Sequence, residues 1–273
     1  MSLVKIGQHE YLINDVNNIE IKRDDNTSSI INLDLLIQTI DQTHILLNKF
    51  KTFPVDVFKI LGIRNLSSFV GESFSQTLSN INSNIIKNPH QDGYPDLLPL
   101  DEFGLKFWNE IKDKEEKEPF SPFAGGGFEV KATCGMIDTP KLFAKKNLKR
   151  PKFKESRIDY IKKYDWKAHH QQTNNLIGIL WDFINETPTI LGIFYSNNLE
   201  KNDWGNIVQP KINGGKTTSV SMMNKSGINK MYIGWILVLD SLPLISMIDK
   251  FNKGNKIGAS RIRTYECIST SAV

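Results

Sequence analysis

Three apolar stretches constrain this chain more than any other feature: the end of DWKAHHQQTNNLIGILWDF (165–183), TPTILGIFYSNNL (187–199) and KMYIGWILVLD (230–240). Each is rich in branched and aromatic residues and reads as a strand that is apolar on both faces, and such strands have to be covered on both sides. Helices are available to cover them. In SIINLDLLIQTIDQTHILLNKF (29–50), Leu33, Leu36, Ile37, Ile40, Leu47 and Phe50 recur at near-helical spacing. NLSSFVGESFSQTLSNINSNII (65–86) predicts a second helix capped by Asn65 or Ser67, and LPLISMIDKFNKG (242–254) a last one stopped by Gly254. VDVFKILG, between the first two, reads as a short helical or extended piece. Helices interleaved with buried strands predict one α/β (or α+β) domain, with a central mixed β-sheet flanked by helices. A chain of 273 residues, 40% of them hydrophobic, is enough to bury its core.

Composition narrows the setting. The apolar run Leu176 to Phe194 is interrupted by Asp182 and Glu186, and the run Ile233 to Ile248 is short and contains Asp240, so neither predicts a membrane span. The start, MSLVKIGQHEYLI, has no charged segment followed by an apolar one, so a cytoplasmic location is expected. Two cysteines, Cys134 and Cys267, supply neither a disulfide framework nor a zinc spacing and read as small buried side chains. Net charge is only +4, yet from Lys141 to Lys167 eleven Lys and Arg face three acids (Glu155, Asp159, Asp165), an excess of eight. That run, with Lys145, Lys146, Lys149, Arg150 and Lys152 at its centre, predicts contact with a polyanion, double-stranded DNA above all. KGNKIGASRIRTY (253–265) could add to it.

FEVKATC (128–134) alternates. On a strand, Phe128, Val130 and Ala132 point one way and Glu129, Lys131 and Thr133 the other, so a carboxylate and an ammonium lie side by side in a half-buried setting. A bound cation would satisfy Glu129 if a second carboxylate helped to hold it, since Mg²⁺ uses one or two carboxylates and keeps water and phosphate in its other positions. Asp96, in GYPDLL at the mouth of a preceding short strand, is the best candidate, with Asp92 and Asp101 as rivals. The Val130 carbonyl could add an oxygen ligand. Such a set suits phosphodiester hydrolysis, in which the metal polarises a phosphate oxygen and acidifies a water, while Lys131 orients that water or stabilises the charge that builds on phosphorus.

Pro95-Asp96 followed by Glu129-Val130-Lys131 resembles the PD-(D/E)xK motif of the restriction-endonuclease-like nucleases. The resemblance implies that Asp96 and Glu129 hold Mg²⁺ on a central sheet and that Lys131 is the catalytic lysine. Many members carry an acid on the helix before the first catalytic strand, and Glu72 in FVGESF is similar in kind and position. The separation of 33 residues between Asp96 and Glu129 exceeds the family's common spacing. A charged insertion from Lys106 to Pro122, with DKEEKE at its centre, accounts for the excess. In outline the resemblance covers Glu72 to Phe194, and a stand-alone chain of this size is most similar to a type II restriction endonuclease. That implies site-specific cleavage of duplex DNA leaving 5′-phosphate ends, commonly by a homodimer, alongside a cognate DNA methyltransferase.

Other segments have two readings. In HHQQTNN (169–175), His169 and Gln172 could reach phosphates or base edges, or Trp166, His170, Thr173, Ile177 and Leu180 could form the inward stripe of a helix. NGGKTTSVS (213–221) ends like a phosphate-binding loop, but residue 210, where the first glycine belongs, is Pro210. Lys216, Thr217 and Thr218 then belong either to a loop that touches DNA or to a hairpin turn. His90, Gln91 and Tyr94 either line the cleft beside Asp96 or shape its turn. A structure-selective nuclease and a non-catalytic DNA-binding protein, in which Glu129 and Lys131 form a structural ion pair, are the competing functions.

Overall fold

A computed structural model gives the fold and describes residues 2–14, 18–23, 25–168, 171–209, 220–251 and 257. Two hairpins open the chain, β1 (Ser2–Ile6) with β2 (His9–Ile13) and β3 (Asn18–Lys22) with β4 (Ser28–Asn32). Helix α1 (Leu33–Lys49) is capped by Asn32, whose side chain accepts the Leu35 N–H, and α2 (Val57–Ile81) by Asp56, which accepts the Lys59 N–H. The short hairpin β5 (Ile85–Lys87) and β6 (Leu97–Pro99), helix α3 (Glu102–Ile111), strand β7 (Glu129–Thr133) and helix α4 (Pro140–Lys145) follow. The rest is β8 (Lys167–Ala168), β9 (Leu176–Ile184), β10 (Thr187–Ser196), β11 (Ser221–Met222), α5 (Lys225–Ile233), β12 (Trp235–Leu239) and α6 (Leu242–Phe251).

Six strands form the central sheet in the order β1-β2-β12-β10-β9-β7. All neighbours are antiparallel except β7 and β9, which run parallel with Glu129 opposite Leu176 and Thr133 opposite Leu180. It is the mixed α/β arrangement that the apolar strands require: β9 is buried from Leu176 to Phe183 and β10 throughout. Helices α1 and α2 cover one face, where Trp181 Nε1 donates to Ser67 Oγ at 3.1 Å. The other face carries α5, α6 and an aromatic cluster of Tyr164, Trp166, Phe194, Tyr232 and Phe251, with the Tyr164 and Tyr232 rings stacked at 4.5 Å. Gly178 makes this packing feasible, since a Cβ there would lie 2.5 Å from the Trp166 ring and 2.7 Å from Met231. Among the described residues, no helix is long and apolar enough to cross a membrane.

The tertiary structure moves several element boundaries. Residues 29–32 are strand, because pairing with β3 buries Ile31 against Ile19 and Ile21. The second helix begins at Val57 and crosses a break at Gly62 (φ 64°), so Asn65 and Ser67 are interior and Asp56 is the cap. Its last expected turn becomes β5 instead. Residues 165–168 and 171–175 are not helical: Lys167 and Ala168 pair with β11, and the Thr173 carbonyl accepts from Trp204 Nε1. Contacts distant in sequence hold this segment extended. Residues 230–233, expected as strand, end α5. In the charged insertion residues 112–118 form an unbroken exposed run, while Ile111, Phe120 and Phe123 join Leu98 in a second small core. Cys134 is buried, as expected, and Gly254 and Cys267 lie outside the described residues.

Inside α1, His44 Nε2 accepts the Ile190 N–H at 3.0 Å, and burial, aided by His9, pushes its pKa down from 6.5 to about 4. The unfolded chain therefore takes up this proton first. The contribution of neutral His44 is complete above about pH 6.5 and is lost as the pH falls toward 4. Urea unfolding between these limits should show a loss approaching about 3 kcal/mol from this group. His44→Gln, which keeps an acceptor for Ile190, should flatten that slope; an unchanged slope would mean that His44 is not its source.

Candidate active site

Strand β7 ends the sheet, and its backbone shows how the site is assembled. The Glu129 N–H bonds inward to the Asn175 carbonyl at 3.0 Å, while the Val130 N–H, pointing the opposite way, donates to Asp96 Oδ2 at 2.8 Å. A strand residue directs its N–H and C=O to the same side, so the Val130 carbonyl also faces the Asp96 side. The alternation read from FEVKATC holds. Ala132 faces α2, lying 3.7 Å from a Cβ placed on Gly71, and Glu129 and Lys131 project from the opposite face. Lys131 Nζ sits 2.5 Å from Glu129 Oε1 and 3.1 Å from Asp96 Oδ2.

Asp96 reaches this position through a rigid approach. Asn88, buried at 8% exposure, donates from its side chain to the Pro95 and Phe120 carbonyls, and its backbone N–H bonds to Asp96 O at 2.9 Å. One residue further, Leu97 and Phe128 exchange two backbone hydrogen bonds of 3.1 Å each. Gly127 permits this proximity: at φ +153°, a Cβ on it would lie 2.2 Å from the Leu97 carbonyl oxygen and 2.5 Å from Pro95. The glycines before EVK therefore let the Pro95-Asp96 segment lie directly against β7.

The electrostatics leave a charge to be matched. Burial, followed by the charge on Glu129, raises the Asp96 pKa above the usual carboxylate range, with Lys131 opposing both. Burial works against the Lys131 ammonium, but the two carboxylates outweigh it and push its pKa well up, so the lysine stays protonated. Two carboxylates against one ammonium leave one negative charge, and Glu129 Oε2 is buried with no hydrogen-bond partner. A divalent cation fits that deficit. Asp96, Glu129 and the Val130 carbonyl could hold it, with water and phosphate in its other positions. No group of three His, Cys, Asp or Glu side chains among the described residues lies close enough to hold a metal ion, and at this site the two carboxylates of Asp96 and Glu129 are what the side chains could offer one.

The rival first ligands fall away. Asp101 caps α3, accepting the Gly104 N–H, and is engaged by Arg23 at 2.7 Å and by Ser29. Asp92 is exposed in the turn before the site, where its backbone N–H donates to His90 Nδ1. Glu72 lies on α2, ion-paired with Lys87 at 2.5 Å, and shares with Asp96, His90 and Gln91 a cleft of about 690 Å³. It stands beside the site and outside the Asp96–Lys131–Glu129 contacts. Tyr94 lines a second cleft on the other side of Asp96, and its hydroxyl donates to the Gln172 carbonyl at 3.1 Å.

The basic run is placed differently from what its sequence position suggests. Lys146 and Lys162 pair with Asp138, Lys154 with Asp56 and Lys163 with Asp165. Arg157 is buried against Cys134 and the Gly135 carbonyl. Lys145, Lys149, Arg150 and Lys152 remain exposed, with no ion pair among the described residues. Helix α4 departs from the end of β7 remote from Glu129, and Arg157 and Phe153 contact Asp182 and Phe183 near the end of β9. These cations therefore lie toward the far end of the two strands from the carboxylate pair. His169, Lys216, Thr217 and Thr218 lie outside the described residues. Asn88, which sequence reasoning did not single out, carries no motif; its role, like the contact that Gly127 permits, depends on which segments meet.

No protein-family model, curated protein or solved structure matches the chain.

Mg²⁺ or Ca²⁺ is expected to stabilise the protein by about 1.4 kcal/mol at ten times its Kd, read as a higher unfolding midpoint. Glu129→Gln and Asp96→Asn should each remove the shift, and a wild type indifferent to millimolar cation would remove the metal from this site. Gly127→Ala should cost about 1–3 kcal/mol through strain and weaken the same cation response.

Proposed function

We propose that the chain is a Mg²⁺-dependent endonuclease of the PD-(D/E)xK kind, most like a type II restriction endonuclease that cuts duplex DNA at a short specific sequence and leaves 5′-phosphate ends. One observation carries the reading: Asp96 and Glu129 converge on Lys131 at the open edge of a mixed sheet, with one carboxylate oxygen of Glu129 left without a partner. A bound Mg²⁺ supplies Lewis acidity toward a phosphate oxygen and acidifies a water. Asp96 and Glu129 hold the ion. Lys131, kept protonated by both carboxylates, acts as a donor: it orients the attacking water and faces the charge that builds on phosphorus. The exposed Lys145, Lys149, Arg150 and Lys152 would contact backbone phosphates away from the cut, positioning the duplex without reading it. A homodimer on a palindromic site and a partner methyltransferase belong to this reading through the family resemblance.

A non-catalytic reading, with Lys131 as a structural bridge between two carboxylates, explains the ion pairs but leaves Glu129 Oε2 without a role. Plasmid and phage DNA incubated with Mg²⁺ separate the possibilities. Discrete fragments are expected from wild type, and Glu129→Ala and Lys131→Ala should each lower the rate by roughly a hundredfold or more while the fold is retained. Cleavage by either variant at the wild-type rate would move the chemistry elsewhere; cleavage without preferred positions would favour a structure-selective nuclease. Because the Asp96 pKa is raised, its proton competes with the metal over a range where an ordinary carboxylate is already ionised. Cleavage should therefore decline on acidification above the usual carboxylate range.

A further inference from the structure

The second cleft adjoins the carboxylate pair, and the hydrolytic chemistry leaves it unused. It encloses about 620 Å³, and Tyr94, Phe103, Gln171, Gln172, Asn174 and Lys201 are among the residues lining it. Pro95 and Gly127 form its wall toward the site, so the cleft begins one residue from Asp96 and two from Glu129. A phosphodiester held at the carboxylate pair has a nucleoside as its next unit. We propose that this cleft receives one unpaired nucleobase, that of the nucleotide adjoining the phosphate at Asp96, Glu129 and Lys131. The inference rests on the nuclease reading for the place of that phosphate.

Size comes first. The volume is that of a small-molecule site and is ample for one base, which would enter from a single strand or after leaving the duplex. The walls suit its ring. Tyr94 is pinned through its hydroxyl to the Gln172 carbonyl, and Phe103 is held by the Arg23 guanidinium 4.8 Å from its centroid and by Phe107 at 5.1 Å. Rings fixed in advance stack on a base with little further loss of freedom.

The polar groups suit its edge. Gln171 donates its amide nitrogen to the Gly205 carbonyl at 2.7 Å, which leaves its side-chain oxygen as an acceptor. Asn174 accepts two hydrogen bonds from Asn175 through Oδ1, which leaves its amide nitrogen as a donor. An acceptor and a donor lining the same cleft suit the mixed edges that bases present. At the rim, Lys22 and Lys201 are exposed cations, with Asp25 the acid among the described lining residues, and suit the phosphate on the side of the nucleotide away from the carboxylate pair.

Saturation-transfer NMR on the whole protein with the four deoxynucleoside 5′-monophosphates tests this, with deoxyribose 5-phosphate as the base-free control. Transfer to base protons is expected, exceeding that to the sugar, with none to the control. Phe103→Leu should reduce it by about fivefold or more. Gln172→Ala and Lys201→Ala, at exposed positions that spare the fold, should also weaken it, and Glu129→Ala should leave it in place. Equal transfer to deoxyribose 5-phosphate, or base transfer that all three cleft variants leave intact, would overturn the proposal. DNA cleavage with no base transfer would sink the cleft and spare the nuclease reading. Base transfer sensitive to the cleft variants, in a protein that cuts no DNA, would do the reverse.

Discussion

Glu129 is 4% exposed, and a carboxylate so nearly buried is tolerated only when its charge is matched. Lys131, two residues along the same strand, supplies the match at 2.5 Å, and Asp96 joins the pair from outside the sheet. Much else follows from this contact. Because Asp96 also accepts the Val130 N–H, it occupies part of the open edge of β7, where an unpaired strand would otherwise present free donors. One aspartate thus protects the sheet edge and completes the charged cluster. The cluster still has one negative charge too many, which makes a cation the natural complement of the site.

The surrounding structure reads as support for that juxtaposition. Asn88 fixes the Pro95 and Phe120 carbonyls, the Leu97–Phe128 bridge carries the Pro95-Asp96 segment to the start of β7, and Gly127 leaves no side chain between them. On the other side, parallel pairing with β9 ties β7 to the most deeply buried part of the sheet. The candidate site therefore stands on rigid elements, as holding an ion and a phosphate in fixed relation would require. The exposed cations of the basic run lie away from it. Any duplex that uses both would have to extend along β7 and β9, with backbone contacts at one end and chemistry at the other.

Much of the fold was legible because it follows from local periodicity. The apolar runs in β9, β10 and β12 had to be central strands, and α1, α2 and α6 supplied apolar helical faces to cover them. The misreadings have a common source in long-range contacts. Residues 165–175 have a helical apolar spacing, yet pairing with β11 holds Lys167 and Ala168 in a strand and the bond from Trp204 ties down Thr173. The second helix began at Val57 because Asp56 caps it, eight residues before the first apparent cap. Strand β2 pairs with β12 across most of the chain's length, which nothing in MSLVKIGQHEYLI announces.

The same division applies to the site. The period-two alternation of FEVKATC was enough to place Glu129 and Lys131 side by side on one face, since strand geometry fixes that from spacing alone. It could not choose among Asp92, Asp96 and Asp101. Three aspartates within ten residues are equivalent to local reasoning, and what separates them is tertiary: Arg23 and a helix cap claim Asp101, a turn exposes Asp92, and a strand bridge delivers Asp96 to Lys131. Burial of Glu129, the unmatched oxygen and the cleft beside them also belong to the tertiary structure, because each depends on which distant segments exclude water from the strand.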